Sequence, residues 1–495
     1  MKNSKPLVKV LMLLIGGTAI TLSGINWNIG IAAWIAPFFL LMYTRKAKWY
    51  QLFFFFLVMS ISGAVSQTNN NLFHLASVNI INGLTFGIVF TIVYGIDKAL
   101  YKQNAGFYFT LLFPSLIVLI EFVLTALIGT WGIIAHTQYE MKSLLQLSSV
   151  TGVFGISFMV VWFSSVVYWL VENSCEWRIV KKGVLIYISI LFLTLLYGEL
   201  RLEANFPKGK TVKVAAVMSE TDIQKIAANE KSSLEKLAAD RQIKIPARIF
   251  SDSLAIKTLI TRTYEASEQG AKIIVWNEIA LILNQDQKQQ LISEIQSICI
   301  NERVYVLLAF LETCSNPEMK PFNNISIFID PMGKVVWKYM KSYLHYAETP
   351  MINRGDFNIP VVETEYGKIS NVICYDLDMN SYIKQAGKKA IDIMLVPAED
   401  WPGITPLHSR MACLEAIQYG FSLVRSNGKG LTAAYDYLGN TIASVNTLTS
   451  DTKIMYADVP VRSVKTFYFV IGNIIVCLAI MFLLFLVLTK IIRRK

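Results

Sequence analysis

Eight apolar runs, seven within the first 200 residues and one at the end, set the limits on what this chain can fold into. They lie near 8–24, 27–43, 50–66, 74–96, 107–128, 153–171, 183–199 and 466–489. Each has about the 17–25 residues that a helix needs to cross the hydrocarbon core of a bilayer. Hydrophobic residues make up 54% of the 495, above the ~45–50% of an average soluble domain, which excludes an ordinary soluble enzyme. Lys2 and Lys5 before the first run imitate the start of a signal peptide. No small-x-small cleavage site precedes Asn26, however, so the first run is expected to stay as a span.

The loops predict which side each segment faces. Lys and Arg gather at Lys2, Lys5 and Lys9, at Arg45, Lys46 and Lys48, at Lys98 and Lys102, at Arg178, Lys181 and Lys182, and at Lys490, Arg493, Arg494 and Lys495. The loops between, near 25, 67–71 and 129–150, carry almost none. Under the positive-inside rule both termini face the cytoplasm and the long polar stretch lies outside. The expected organisation is residues 1–200 as a membrane domain with seven transmembrane helices, 201–465 as an extracytoplasmic domain, and 466–495 as a closing helix with a basic cytoplasmic tail. The net charge of +11 is then topology signal and attraction to anionic headgroups, which makes the bilayer a partner. Nucleic acid is excluded, since the lysines of the polar stretch are scattered among Glu and Asp with no basic and aromatic face.

Six cysteines (Cys175, Cys299, Cys314, Cys374, Cys413 and Cys477) show no C-x-x-C spacing, and the four histidines show no H-E-x-x-H. This pattern predicts neither a catalytic metal nor a disulfide framework, and no cofactor. A single Cys299–Cys314 bridge stays open in an oxidising compartment.

The polar stretch alternates short β runs with amphipathic helices. Strands are expected over Val212–Met218, Lys272–Trp276, Val304–Phe310, Ile325–Ile329, Val335–Trp337, Ile369–Cys374, Ile391–Val396, Ser422–Arg425, Leu431–Tyr435 and Lys453–Ala457. Helices are expected near 247–269, opened by Pro246, and near 285–301, 379–388 and 406–419. Such a mixture predicts an α/β layered domain. Three reactive residues fall just after or at the ends of strands, where α/β folds present reactive groups at one lip of a sheet: Glu278, Lys341 and Cys374. Singly, each has a bland reading as a loop acid, a surface lysine and a core thiol. Together they form a nucleophile with a cation and a proton acceptor. The Lys341 ammonium is expected to lower the Cys374 pKa below about 8.5 and, with the backbone N–H of Tyr375, to steady an oxyanion. Glu278 would act as base and then acid.

The segments Ile274-Val-Trp-Asn-Glu278, Trp337-Lys-Tyr-Met-Lys341-Ser-Tyr-Leu, His345-Tyr-Ala-Glu348-Thr-Pro350 and Ile373-Cys374-Tyr-Asp376 resemble the four catalytic segments of the nitrilase superfamily over roughly 210–460. That resemblance implies an αββα sandwich, a Glu-Lys-Cys triad and a second Glu, here Glu348. With the spans added, the chain resembles the membrane branch of that superfamily, the apolipoprotein N-acyltransferases. Asp400-Trp-Pro-Gly-Ile-Thr-Pro-Leu-His408, Leu423-Val-Arg-Ser-Asn-Gly-Lys-Gly430 and Leu145-Gln-Leu-Ser-Ser-Val-Thr-Gly-Val-Phe-Gly-Ile-Ser157 are similar to that branch too. The chain departs from it at Ala398-Glu-Asp-Trp401-Pro-Gly, where the family has Asn-Asp-Ala-Trp-Phe-Gly, and at Asp376, where the family has Glu.

What the resemblance implies is a ping-pong acyl transfer. A phospholipid gives its acyl group to Cys374 as a thioester, and the amino group of the diacylglyceryl-cysteine of an apolipoprotein takes it. The expected setting is a bacterial cytoplasmic membrane, with a monomer sufficing. Supporting parts fall to Glu348, which would orient Lys341; to Tyr375 and Asp376, which would shape the site or meet the acceptor amine; and to Trp401, which would form a lip for acyl chains. Glu121, an ionisable group within the fifth run, is costly there and so suspect. Two rivals stand beside this reading: a membrane-anchored amidohydrolase with water as acceptor, and a receptor that keeps the fold without catalysis.

Overall fold

The computed structural model describes residues 6–68, 76–103, 105–204, 209–239, 245–314, 316 and 318–492. Lys2, Lys5, Arg493, Arg494, Lys495, residues 69–71 of one acid- and base-poor loop and the start of the fourth apolar run lie outside them. The chain divides into two compact units, Met1–Phe206 with Thr466–Lys495, and Pro207–Lys465.

In the first unit each expected run carries a helix. Among the described residues seven are long and apolar enough to cross a membrane: Pro6–Ser23, Trp49–Ser66, Ala76–Leu100, Phe107–Ile128, Val153–Glu172, Trp177–Ala204 and Ile474–Ile492. The second expected run forms Gly30–Thr44, whose 15 residues span only ~22 Å at 1.5 Å per residue, less than the ~30 Å of a hydrocarbon core. Outward-facing Ile80, Ile81, Leu84, Ile88 and Ile92 leave an apolar stripe exposed on Ala76–Leu100, as a lipid-facing helix does. Its opposite side packs tightly because it carries glycine: a Cβ at Gly83 would sit 2.5 Å from the Ser60 carbonyl oxygen. Small residues allow such close helix approach in lipid, where there is no hydrophobic drive between helices. The buried Arg45 is matched by a buried carboxylate, that of Asp97. Arg45 donates through Nε and Nη2 to Asp97 at 2.7 and 2.8 Å, and Tyr101 stacks on its guanidinium at 3.6 Å. Glu121 Oε1 accepts from the backbone N–H of Ile134 (2.8 Å), a tie that closes the loop after its helix.

The second unit is a two-sheet sandwich. One sheet holds β1 (Thr211–Val217), β2 (Ile273–Trp276), β3 (Ile282–Leu283), β4 (Tyr305–Thr313), β5 (Phe322–Ile329), β6 (Val335–Met340) and β7 (Ile352–Asn353). The other holds β8 (Val361–Thr364), β9 (Gly367–Asn371), β10 (Ile393–Ala398), β11 (Ser422–Asn427), β12 (Leu431–Tyr435) and β13 (Thr441–Asn446). The last strand, β14 (Ile454–Pro460), returns to the first sheet beside β1, giving the orders β14-β1-β2-β4-β5-β6 and β13-β12-β11-β10-β9-β8.

Alternation along the strands decides the layers. Val212, Val214 and Ala216 of β1 point to the space between the sheets, with Ile369, Ile393, Leu395 and Val424 across from them. Ala215 and Val217 point the other way, to Leu259 and Ala266 of helix Ser253–Glu268 and Leu291 and Ile295 of helix Gln285–Glu302. Helices Asn380–Lys389 and Leu407–Tyr419 belong with the second sheet, so the layering is αββα, as expected. Pro246 opens only a short 3-10 turn, Ala247–Ile249. The long helix starts later, where the Asp252 side chain accepts from the Ala255 N–H. All six cysteines are free, so the Cys299–Cys314 bridge does not form.

Candidate active site

Glu278 stands two residues past β2, and Lys341 directly follows β6. Cys374 was expected to end its strand, but β9 stops at Asn371 and Cys374 opens a 3-10 turn, Cys374–Asp378. The reason is Asp376: its Oδ2 accepts the Ile373 N–H (3.1 Å), which draws the backbone out of extended pairing. Cys374 is thereby held at φ +47° and Ile279, beside Glu278, at φ +48°. Left-handed non-glycine residues cost ~1–3 kcal/mol and gather at functional sites. A second expectation also changes. The three residues do not line one lip of a single sheet, because Glu278 and Lys341 come from the first sheet and Cys374 from the second.

Lys341 is 2% exposed and its Nζ donates to Glu278 Oε1 at 2.7 Å and to both Glu348 oxygens at 2.8 Å. Asn324 of β5 adds a bond from Nδ2 to Glu278 Oε1 (2.7 Å), and the Glu399 N–H reaches Glu278 Oε2 (3.1 Å). Glu348 is itself fixed by the His345 N–H at 2.8 Å. Burial pulls the Lys341 ammonium down, yet the two carboxylates outweigh it and hold the group protonated, well above its usual range.

The Cys374 thiol is 7% exposed and packs with Ile373, Tyr339 and Ala398. Burial and the nearby Glu278 push it well above the usual thiol range, against the pull of Lys341 and Arg425. The expectation that Lys341 would bring this pKa below its usual value is therefore corrected. The ammonium acts in the expected direction, but it is shared by two carboxylates and loses to burial.

Asp376 staples the nucleophile's turn to the lysine's loop. Its Oδ1 accepts from the N–H groups of Ser342 (3.1 Å) and Tyr343 (2.7 Å), and its Oδ2 also from the Tyr339 hydroxyl (2.6 Å). Fully buried with both oxygens engaged, it positions the site and has no oxygen to spare for an incoming amine. Tyr375 and Trp401 are half-buried and meet at one imidazole: their ring centroids lie 6.3 and 5.5 Å from that of His345.

The sequence did not reveal a second charged group near the sulfur. Arg425, fully buried on β11, points Nη2 to within 3.9 Å of Cys374 Sγ. The same nitrogen donates to Asp400 Oδ1 (2.9 Å). Asp400 also meets His408 Nδ1 (2.7 Å) and Asn427 Nδ2 (2.6 Å), and His408 Nε2 meets Asp378 Oδ2 (2.9 Å). Burial and Arg425 pull the His408 imidazole down, but Asp378 and Asp400 outweigh them and hold it above its usual range. Ligand-type atoms of Cys374, Asp400 and His408 lie within 4.8 Å of one another, a spacing that a metal could use. The Arg425 guanidinium already stands at those atoms, 2.9 Å from His408 Nδ1, so the place of a cation is taken by the protein itself. The available signal was the arginine inside the apolar run Leu423-Val-Arg425: a charge in a buried strand is expensive unless paired.

A carbon-nitrogen hydrolase model matches residues 232–468, and an apolipoprotein N-acyltransferase N-terminal domain model matches residues 16–166. The chain is 20% identical to an apolipoprotein N-acyltransferase of Rickettsia prowazekii (strain Madrid E), covering 81% of this chain and 80% of that one. It is 23% identical to apolipoprotein N-acyltransferase 1 of Treponema denticola, over 99% and 98% of the two chains. An amidase from Nesterenkonia sp. superposes with TM-score 0.40 at 15% identity, over 51% of this chain and 92% of the amidase. With the two models falling one on each unit, and relatives aligned along most of the chain, this protein belongs to the apolipoprotein N-acyltransferase family of the nitrilase superfamily.

Proposed function

We propose that the protein transfers a fatty acyl group from a membrane phospholipid, through a Cys374 thioester, to the amino group of a diacylglyceryl-cysteine at the head of an apolipoprotein. The observation that carries this reading is a buried thiol beside a buried Lys341–Glu278 pair in a chain whose described residues include seven apolar helices of membrane-crossing length. A two-tailed donor and acceptor keep their tails in lipid, so both reach the same sulfur only if the catalytic unit is tethered at the bilayer. The alternation of basic loops supports placing that unit on the extracytoplasmic side.

The chemistry follows from the resting charges. Because burial keeps the thiol protonated, its proton leaves as the sulfur attacks, and Glu278 takes it. The S–C bond forms at the ester carbonyl, and the oxyanion is met by the Lys341 ammonium and the N–H following the nucleophile. The C–O bond breaks, Glu278 returns the proton to the departing lysophospholipid, and a thioester remains. A primary amine then attacks the thioester, the C–N bond replaces the S–C bond, and the thiol is restored. Water is the competing acceptor, and the low exposure of Cys374 works against it. Trp401 and Tyr375, gathered on His345, supply an apolar lip for the acyl chain.

The test uses full-length protein in detergent micelles, a phospholipid labelled in one acyl chain and a synthetic diacylglyceryl-cysteine peptide. The expected result is label in the peptide, matched by an equal amount of lysophospholipid. Labelled free fatty acid with an unlabelled peptide would instead make this an amidohydrolase-type enzyme with water as acceptor.

A further inference from the structure

Lys341 cannot by itself be the cation that makes the sulfur an anion. Its single charge is divided between Glu278 and Glu348, so the lysine cluster holds one ammonium against two carboxylates. When the thiol's proton passes to Glu278 the net charge of the site is unchanged, but the thiolate then takes the place of the Glu278 carboxylate and Lys341, still bonded to both Glu348 oxygens at 2.8 Å, again has two anions to balance.

The other cluster is balanced differently. Arg425 and His408 alternate with Asp400 and Asp378 in a chain of contacts no longer than 2.9 Å per link, and the sulfur end of that chain is the guanidinium. Asp400 does not consume Arg425 outright, because its oxygens are also taken by His408 and Asn427. Only Nη2 of Arg425 is engaged. Its Nε and Nη1 are buried without a hydrogen-bond partner, an arrangement that costs free energy and persists where a site needs donors. A guanidinium stays charged throughout the working pH range.

We propose that Arg425 is a second catalytic cation, which stabilises the Cys374 thiolate as it forms, while Asp400, His408 and Asp378 act as positioning residues that aim the guanidinium at the sulfur. The inference rests on Cys374 as the nucleophile and adds a second cationic partner, whose Nη2 lies 3.9 Å from the sulfur. The division of labour then becomes clear: Glu278 receives the proton, Lys341 meets the oxyanion, and Arg425 meets the sulfur.

The test reads the sulfur and needs neither acyl donor nor acceptor. Full-length wild type, Arg425→Gln and Arg425→Lys in detergent micelles are treated with iodoacetamide across a pH series, and alkylation of Cys374 is followed by mass spectrometry. Exposed Cys175 serves as the internal reference. The proposal expects the Cys374 midpoint to rise by about one pH unit in Arg425→Gln, equivalent to ~10-fold slower alkylation below the midpoint. Arg425→Lys should recover part of the shift, and Cys175 should not move. If Arg425→Gln fails to fold, Arg425→Gln with Asp378→Asn keeps the network neutral and leaves the Asp400–His408 pair in place; the same rise is expected. A wild-type midpoint in whichever variant folds would overturn the proposal. A shifted midpoint in a protein that forms no acyl-enzyme would uphold Arg425 and remove only the proposed substrate.

Discussion

Two charged clusters bear on Cys374: in one a single ammonium, Lys341, is shared by two carboxylates; in the other two cations, Arg425 and His408, alternate with Asp400 and Asp378. Both clusters are buried, so in both an unpaired charge would be costly. The first has an excess of carboxylate and so can take a proton during the reaction. The second is neutral as a whole and so can hold a shape, with one cation turned to the sulfur. One cluster is arranged to exchange a proton and the other to stay fixed.

The strongest way to break this contrast is Lys341→Met. It leaves Glu278 and Glu348 facing each other without their cation, and breaking such a buried pair costs about 3–5 kcal/mol. Thermal denaturation should show a large drop in Tm, and lysophospholipid release should fall below detection. Adding Glu348→Gln should restore part of the Tm with no return of activity, which separates the lysine's structural part from its chemical one.

Glu278→Gln should act on chemistry alone, since Glu348 still balances Lys341. Lysophospholipid release should fall by roughly 10²–10⁴-fold, the usual contribution of a positioned general base, with little change in Tm. A comparable loss of Tm would mean that Glu278 serves mainly to hold the lysine.

His408→Gln sharpens the comparison from the neutral cluster. The His408 pKa is held above its usual value in the fold, so its stabilising contribution is fully present below the unfolded value of about 6.5 and is lost as pH rises through the folded value. Wild type should lose Tm as pH increases from neutral into the alkaline range, and the variant should lose less. Equal slopes would mean that the imidazole is not the cation bridging the two aspartates.

Trp401→Ala should be the mildest. If the indole forms the lip, KM for the phospholipid should rise a few-fold while kcat holds, because only binding shared by ground and transition states is removed.

The fold was legible where the pattern is local. Apolar runs located most of the membrane helices to within a few residues, although the run at 466–489 divides into Phe467–Ile471 and Ile474–Ile492 and the helix around 183–199 extends over Trp177–Ala204; alternation located ten of the strands with small shifts at their ends. The strands missed, such as β3 at Ile282–Leu283 and β13 at Thr441–Asn446, are a two-residue pair and a partly exposed edge, neither of which leaves a strong period. At the site, motif order brought out Glu278, Lys341, Cys374 and Glu348. The Arg425 cluster stayed hidden because Asp378, Asp400, His408 and Arg425 come from different elements and meet only across the fold. The state of the thiol was misjudged for a related reason. A lysine near a cysteine can be read from spacing, but the depth of burial and the second carboxylate that shares the lysine's charge cannot.

The most direct test of the central claim is the intact mass of wild type and Cys374→Ala after incubation with phospholipid and no acceptor. The account predicts that wild type gains the mass of one acyl group, retains it until an amine-bearing diacylglyceryl peptide is added and then loses it, while Cys374→Ala gains nothing. A wild type that never gains the acyl mass, or a Cys374→Ala variant that gains it equally, would contradict a thioester at this sulfur.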